Sequence, residues 1–162
     1  MKTCVFAGTF DPITTGHKNI IDKCLELFDK VLLVVGRNPQ KSCLLSESDR
    51  IKLLKLLYGD NDRVEVVLYS DYQDNYTEFL QSKNACVYVR GIRNDIDLEF
   101  EKAMEEKNKK LYPFIKTEYI NCDKEYKNVS STLVKSAIKD GKEFLQYIPK
   151  ACHQALLQAL KK

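Results

Sequence analysis

The sequence predicts an α/β fold in which one open, doubly wound sheet of five parallel strands forms a single domain over residues 1–162. Three observations predict it. Apolar, β-rich runs alternate with segments of helical spacing along the whole chain. Most of these runs are near-continuously apolar, as strands covered on both faces are. A length of 162 residues suits one core, burying roughly two-thirds of the surface that the unfolded chain would expose.

Strands are expected over residues 2–7, 30–35, 64–68, 85–90 and 116–121. Between the first two, Ile21, Cys24, Leu25 and Phe28 recur at the spacing of one helix face. Arg50, Leu53, Leu54 and Leu57 repeat that spacing with a charged residue in the first position, and Ser46 with Asp49 three residues on forms an N-cap for this helix. A short helix is expected over 75–81. Phe100, Ala103, Met104 and Leu111 mark a helix after the fourth strand, and Cys152, Ala155, Leu156, Ala159 and Leu160 mark one at the C-terminus. Alternation of this kind builds βαβ units with right-handed crossovers. Ligands of such sheets bind beyond the carboxyl ends of the strands at a topological switch point, so the loops after strands one, two and four are where chemistry is expected.

Composition narrows the function classes. Hydrophobic residues make up 44% and charged residues 30%, which excludes a disordered chain. No apolar run reaches the roughly 20 residues of a membrane span and no signal-peptide pattern opens the chain, so a cytoplasmic protein without membrane contact is expected. The cysteines Cys4, Cys24, Cys43, Cys86, Cys122 and Cys152 are scattered, with no C-x-x-C and no neighbouring histidine, and read as free thiols instead of a disulfide framework or zinc site. A net charge of +3 falls short of a nucleic-acid footprint but suits a small anionic ligand.

The unusual residues lie in the expected loops. After strand one, Gly8-Thr9-Phe10-Asp11-Pro12 leads into Gly16-His17, concentrating two of six glycines and one of two histidines. Gly8 admits a ligand close to the backbone, Thr9 offers a hydroxyl, and His17 falls in the first turn of a helix, beside its positive dipole end. Alone, the stretch reads equally well as a turn followed by a helix start. Lys41, in Asn38-Pro39-Gln40-Lys41-Ser42 after strand two, is a point charge suited to phosphate, though alone it is one surface lysine among 26 Lys and Arg. After strand four, Arg90-Gly91-Ile92-Arg93 brings two guanidinium forks around a glycine, against which stands a surface ion-pair turn with Asp95, Asp97, Glu99 and Glu101. Val129-Ser130-Ser131-Thr132 starts a helix after strand five, as an anion cradle or as a plain N-cap. His153 lies on the polar face of the last helix and reads as structural.

Together these pieces resemble a known family. Thr14-Thr15-Gly16-His17 resembles the T-x-G-H form of the H-x-G-H signature of the nucleotidyltransferase superfamily, and Val129-Ser130-Ser131-Thr132 resembles its I-S-S-T companion. The order of "GTFDPITTGH", "NPQKS", "RGIR" and "SST" is similar to the bacterial phosphopantetheine adenylyltransferases, over about residues 3–160. The resemblance implies a Rossmann-like fold that moves adenylate from ATP to 4′-phosphopantetheine, giving dephospho-coenzyme A and pyrophosphate in coenzyme A biosynthesis. It implies catalytic roles for His17, Lys41, Arg93 and Thr9. It places ATP at Thr9, Phe10, His17, Gly91, Ile92, Arg93, Glu101, Tyr126, Lys127, Asn128, Val129, Ser130, Ser131 and Thr132, and 4′-phosphopantetheine at Thr9, Lys41, Gln73 and Arg90. It further implies Mg²⁺ held mainly by the ATP phosphates, no protein metal ligands, and a homohexamer. The chain departs from the pattern at Tyr126, where some members carry Trp, at Val129 in place of Ile, and in a segment 72–85 about three residues longer than in some relatives.

An anionic phosphate needs no general base to attack a phosphorus, and no Cys, Ser or Asp is placed as an obligatory covalent nucleophile. What the chemistry requires is positioning of two polyanions and neutralisation of charge, which explains the residue types. Two alternatives remain. One is a transferase of the same superfamily acting on another phosphorylated acceptor, such as nicotinamide mononucleotide or glycerol 3-phosphate; the other is a nucleotide-binding module without turnover.

Overall fold

A computed structural model describes residues 1–36 and 42–162, with residues 95 and 96 described by their backbone. Five strands, β1 (Thr3–Gly8), β2 (Lys30–Val35), β3 (Val64–Leu68), β4 (Ala85–Ile92) and β5 (Lys116–Asn121), form one all-parallel sheet in the order β3-β2-β1-β4-β5. Six helices flank it, α1 (Thr15–Leu27), α2 (Glu47–Tyr58), α3 (Tyr76–Ser82), α4 (Asp95–Leu111), α5 (Ser131–Lys139) and α6 (His153–Leu160). This is the expected Rossmann-like α/β domain. Three expected strands have the observed bounds; β1 runs one residue further along the chain at each end, and β4 continues past Arg90 to Ile92.

The apolar runs are continuous because the sheet is covered on both sides. Alternate residues divide between two cores, with Cys4, Phe6, Val31, Leu33, Val87 and Val89 facing α1, α2 and α6, and Val5, Leu32, Val34 and Tyr88 facing α3. Under α3 the filling is aromatic: Tyr72 stacks on Phe79 with centroids 3.8 Å apart, and the Tyr76 and Tyr88 hydroxyls meet at 2.7 Å. The edge strand β5 carries Lys116, Glu118 and Asn121 outward, as an edge exposed to water does.

Two readings of the helices are refined. Ser46 caps α2 by accepting from the Asp49 amide at 3.1 Å, as expected, and the charged first position of its apolar face, Arg50, is buried with only 2% of its surface exposed. The spacing of Phe100, Ala103, Met104 and Leu111 does mark a helix, but not a buried face: Phe100 and Leu111 are 66% and 62% exposed, and Met104 alone of the four is half-buried. The charged residues around them keep much of this helix in water, while Glu101 and Glu105 reach Arg90 of β4 and Tyr119 of β5.

The topology creates the cleft. Pairing between β1 and β4 ends at Val5 with Tyr88, whereas β4 stays paired with β5 as far as Ile92. Beyond Tyr88 the two central strands part, because the chain crosses to β2 on one side and to β5 on the other. Leu54, 0% exposed between sheet and α6, tests the core that holds this arrangement. Leu54→Ala is expected to destabilise the fold by about 2–5 kcal/mol, read as a lower urea midpoint with an unchanged m-value.

Candidate active site

The gap between β1 and β4 opens into a cleft of about 350 Å³. Thr9, Phe10 and His17 form one wall, Arg90, Gly91, Ile92, Arg93 and Glu101 a second, and Tyr126, Val129, Ser130, Ser131 and Thr132 a third. The structure therefore brings together thirteen of the residues singled out in the sequence. Lys127 and Asn128, exposed in the turn between Tyr126 and Val129, and Gln73, exposed between β3 and α3, are not among the lining residues. Lys41 lies outside the described residues; Ser42 and Cys43, which follow it, do line the cleft.

The T-x-G-H motif forms a helix cap. Thr14 is the N-cap of α1 and accepts from the His17 amide at 3.3 Å, while the Thr14 amide donates to His17 Nδ1 at 3.0 Å. A backbone donor on Nδ1 leaves the ring proton on Nε2, the nitrogen away from the cap. Gly16 lets α1 approach the loop after β5 closely, since a Cβ there would stand a tight 3.3 Å from the Val129 carbonyl oxygen. Phe10 packs edge-on against His17 at 5.1 Å and against Phe6 at 5.7 Å. Its φ of 50° lies in the left-handed region, costly for a bulky side chain and held only where surroundings over-determine it.

Several charged groups are already partnered. Arg93 Nε lies 3.0 Å from Asp97 in the first turn of α4. Arg90 Nε lies 3.3 Å from Glu101, with its guanidinium 5.3 Å from the centre of the Tyr88 ring. The strand expected to end at Arg90 continues through Gly91 to Ile92, with Arg90 and Gly91 opposite Tyr119 and Ile120. This is why Arg90 turns to the face it shares with Tyr88 and Glu101. The hydroxyls of the Ser-Ser-Thr run are also divided: Ser130 caps α5 by accepting from the Leu133 amide at 3.0 Å, and Ser131 donates to the Pro12 carbonyl at 2.8 Å. The cap is thus present, and Thr132 in the first turn of α5 lines the cleft.

Sequence reasoning passed over two groups in the cleft. The Asp11 carboxylate, 1% exposed, accepts from the Leu44 and Leu45 amides at 2.7 and 2.8 Å and pairs with Lys135 Nζ at 2.8 Å. Lys135 sits one helical turn after Ser131 and so on the same face of α5, which was the available signal. Asp11 looked like an ordinary turn residue before Pro12. His153 Nε2 lies 2.8 Å from the Ile148 carbonyl, the structural role its position suggested.

The cleft lining balances Arg90, Arg93 and Lys135 against Asp11, Asp97 and Glu101, and its histidine is neutral. Burial, reinforced by the nearby Arg93 charge, lowers the His17 pKa from 6.5 to about 4. Burial raises the Glu101 carboxyl above the usual range, against the pull of Arg90. His17 at neutral pH is therefore an uncharged N–H donor aimed by its cap, suited to an oxyanion. Among the described residues no group of three or more His, Cys, Asp or Glu side chains is placed to hold a metal ion, and no helix is long and apolar enough to cross a membrane.

A family model described as cytidylyltransferase-like matches residues 5–137. The fold is similar to the crystal structure of a protein from Vibrio parahaemolyticus described as a nicotinate-nucleotide adenylyltransferase, with a TM-score of 0.71 and 22% identity over 97% of this chain and 92% of that one. At that identity the likeness is one of fold.

A shifted histidine has a direct readout. Nitrogen-15 NMR is expected to show His17 as the Nε2–H tautomer at neutral pH, titrating near 4 and not near 6.5. As pH falls from 6.5 towards 4 the unfolded chain takes up a proton that the folded one does not, so His17 costs stability across that window. A midpoint near 6.5 would overturn this assignment.

Proposed function

The chain belongs to the cytidylyltransferase-like family of nucleotidyltransferases, and from that premise we propose that it transfers adenylate from ATP to 4′-phosphopantetheine, releasing pyrophosphate and forming dephospho-coenzyme A. The observation that carries the proposal is the convergence of Thr9, His17, Arg90, Arg93 and the first turn of α5 on one cleft at the switch point. The choice of acceptor rests on the resemblance of "GTFDPITTGH", "NPQKS", "RGIR" and "SST" to that family.

In this reading an oxygen of the 4′-phosphate attacks the α-phosphorus of ATP in line. The bond from that phosphorus to the bridging oxygen breaks, and pyrophosphate leaves with the electron pair. His17, neutral and fixed by Thr14, donates its Nε2–H to the α-phosphoryl oxygen on which charge accumulates. Arg93 neutralises the departing pyrophosphate. Lys41 and Arg90 hold the acceptor phosphate; for Arg90 this means exchanging or sharing the Glu101 carboxylate once a phosphate arrives, which a fork with several donors permits. Thr9 adds a hydroxyl between the two substrates, and Glu101, Tyr126 and residues 127–132 enclose the nucleotide. The described side chains build no metal site of their own, so Mg²⁺ enters this proposal as a counterion of the ATP phosphates, and no step runs through it. A homohexamer in the cytoplasm, serving coenzyme A biosynthesis, completes the proposal.

A second acceptor is favoured by the structural likeness to the Vibrio protein, namely nicotinate mononucleotide. Pyrophosphate release with ATP and Mg²⁺ against 4′-phosphopantetheine, nicotinate mononucleotide, nicotinamide mononucleotide and glycerol 3-phosphate decides between them. The expected outcome is dephospho-coenzyme A from the first and no product from the others; turnover of a nucleotide acceptor alone would replace the assignment.

Two variants separate the roles. His17→Ala is expected to lower kcat by at least about a hundredfold, the scale of losing one preorganised oxyanion donor, with a smaller change in KM. Lys41→Ala is expected to raise the KM for 4′-phosphopantetheine more than that for ATP. An effect confined to ATP would reverse the placement of Lys41.

A further inference from the structure

Arg50 stands in the first turn of α2, outside the cleft lining, and is the largest fully buried side chain in the described structure. Its Nη1 donates to the Thr9 carbonyl at 2.9 Å and to the Gly36 carbonyl at 2.8 Å. The Gly36 amide, in turn, donates to the Gly8 carbonyl at 2.8 Å, the last bond between β1 and β2 before the strands run out. Among the described residues the Thr9 and Gly36 carbonyls lie beyond the paired strands, and the guanidinium supplies their donor.

Nothing in packing alone calls for an arginine here. Among the described residues Arg50 makes no ion pair with a carboxylate, and its Nε is buried without a hydrogen-bond partner. A cation in that condition is costly, and an apolar side chain would suit the Leu53 and Leu54 face better. The return on that cost lies in what the two carbonyls belong to. Thr9 precedes Phe10, whose φ of 50° is strained, and Asp11 follows it, anchored by the Leu44 and Leu45 amides. The strained residue is held from both sides, by Arg50 behind and Asp11 ahead. Gly36 is the residue from which the second loop departs towards Lys41.

We propose that Arg50 is a positioning residue: through the Thr9 and Gly36 carbonyls it sets the spacing between the loop that presents Thr9 and His17 and the loop that leads to Lys41. It touches neither substrate. It acts by fixing backbone on which displacement of about 1 Å would be felt in rate. Its unpaired charge also adds to the positive potential behind a cleft for polyanions. The inference rests on the reading that this cleft receives ATP.

The test compares two lysine substitutions. Arg63 is a second guanidinium that serves backbone carbonyls, donating to those of Leu25, Phe28 and Asp29, but at the opposite end of the strands. Arg50→Lys keeps the charge and loses the fork, and is expected to weaken ATP binding by calorimetry and to lower kcat/KM, each at least about tenfold, at a temperature where it remains folded. Arg63→Lys is expected to lower the Tm while leaving ATP affinity and kcat at wild-type values. If the lysine variant is not recovered folded, Arg50→Gln, whose amide retains donors without charge, is judged by the same criterion. Wild-type ATP affinity in a folded Arg50 variant, or losses matched by Arg63→Lys at equal fraction folded, would overturn the proposal. A wild-type protein that binds ATP yet forms no dephospho-coenzyme A would overturn the acceptor assignment alone, because ATP affinity still reads Arg50.

Discussion

The Asp11 carboxylate joins three stretches of chain that the sequence keeps far apart. It ends the turn after β1, accepts the backbone amides of Leu44 and Leu45 ahead of α2, and pairs with Lys135 on α5. Each oxygen is filled by a donor, which is the condition under which a buried charge is tolerated. That carboxylate gives the turn, the residues leading into α2 and the fifth helix one shared anchor, beside the ties made by Ser131 and Arg50. The cleft is the space these three segments leave between them, so its shape depends in part on one side chain that presents nothing to solvent.

Electrostatics in the cleft follow the same economy. Arg93 is held by Asp97, and Arg90 is shared between Glu101 and the Tyr88 ring. Long cationic side chains in water would lose rotamer freedom on meeting an anion; here much of that loss is taken at folding. The neutral His17 fits this setting, because a third positive charge against Arg93 would be resisted by both burial and repulsion. The ring contributes a directed N–H, and the charges in the cleft belong to its neighbours.

Much of the fold was legible in the sequence because both faces of the sheet are covered: runs such as those of β1, β2 and β4 admit few other interpretations. The limits of β4 were less legible, since Gly91 and Ile92 read as the start of a loop until pairing with β5 is known. The apolar spacing of α4 marked the helix and left its burial open, as periodicity reports which residues share a helix face and not whether anything covers it. In the site, loop composition pointed to Thr9, His17, Arg90, Arg93 and the Ser-Ser-Thr run. Asp11, Lys135 and Arg50 stayed hidden because their partners are backbone amides, a distant carboxylate and backbone carbonyls. Long-range pairings of that kind leave almost no trace in local sequence. Arg50 left one, a charge in an apolar register.

The bonds between Thr14 and His17 serve two ends at once. They close the first turn of α1 and they hold the imidazole in the tautomer and direction that an oxyanion needs. Helix ends are among the first parts of a structure to open, at a fraction of the free energy of global unfolding. The reactive nitrogen is therefore governed by a local equilibrium as well as by the stability of the whole. Should that turn open on warming while the sheet and its two cores are still intact, the imidazole would lose its aim before the fold is lost. Heat would then silence the site ahead of melting, and recovery on cooling would need only that one turn to wind again.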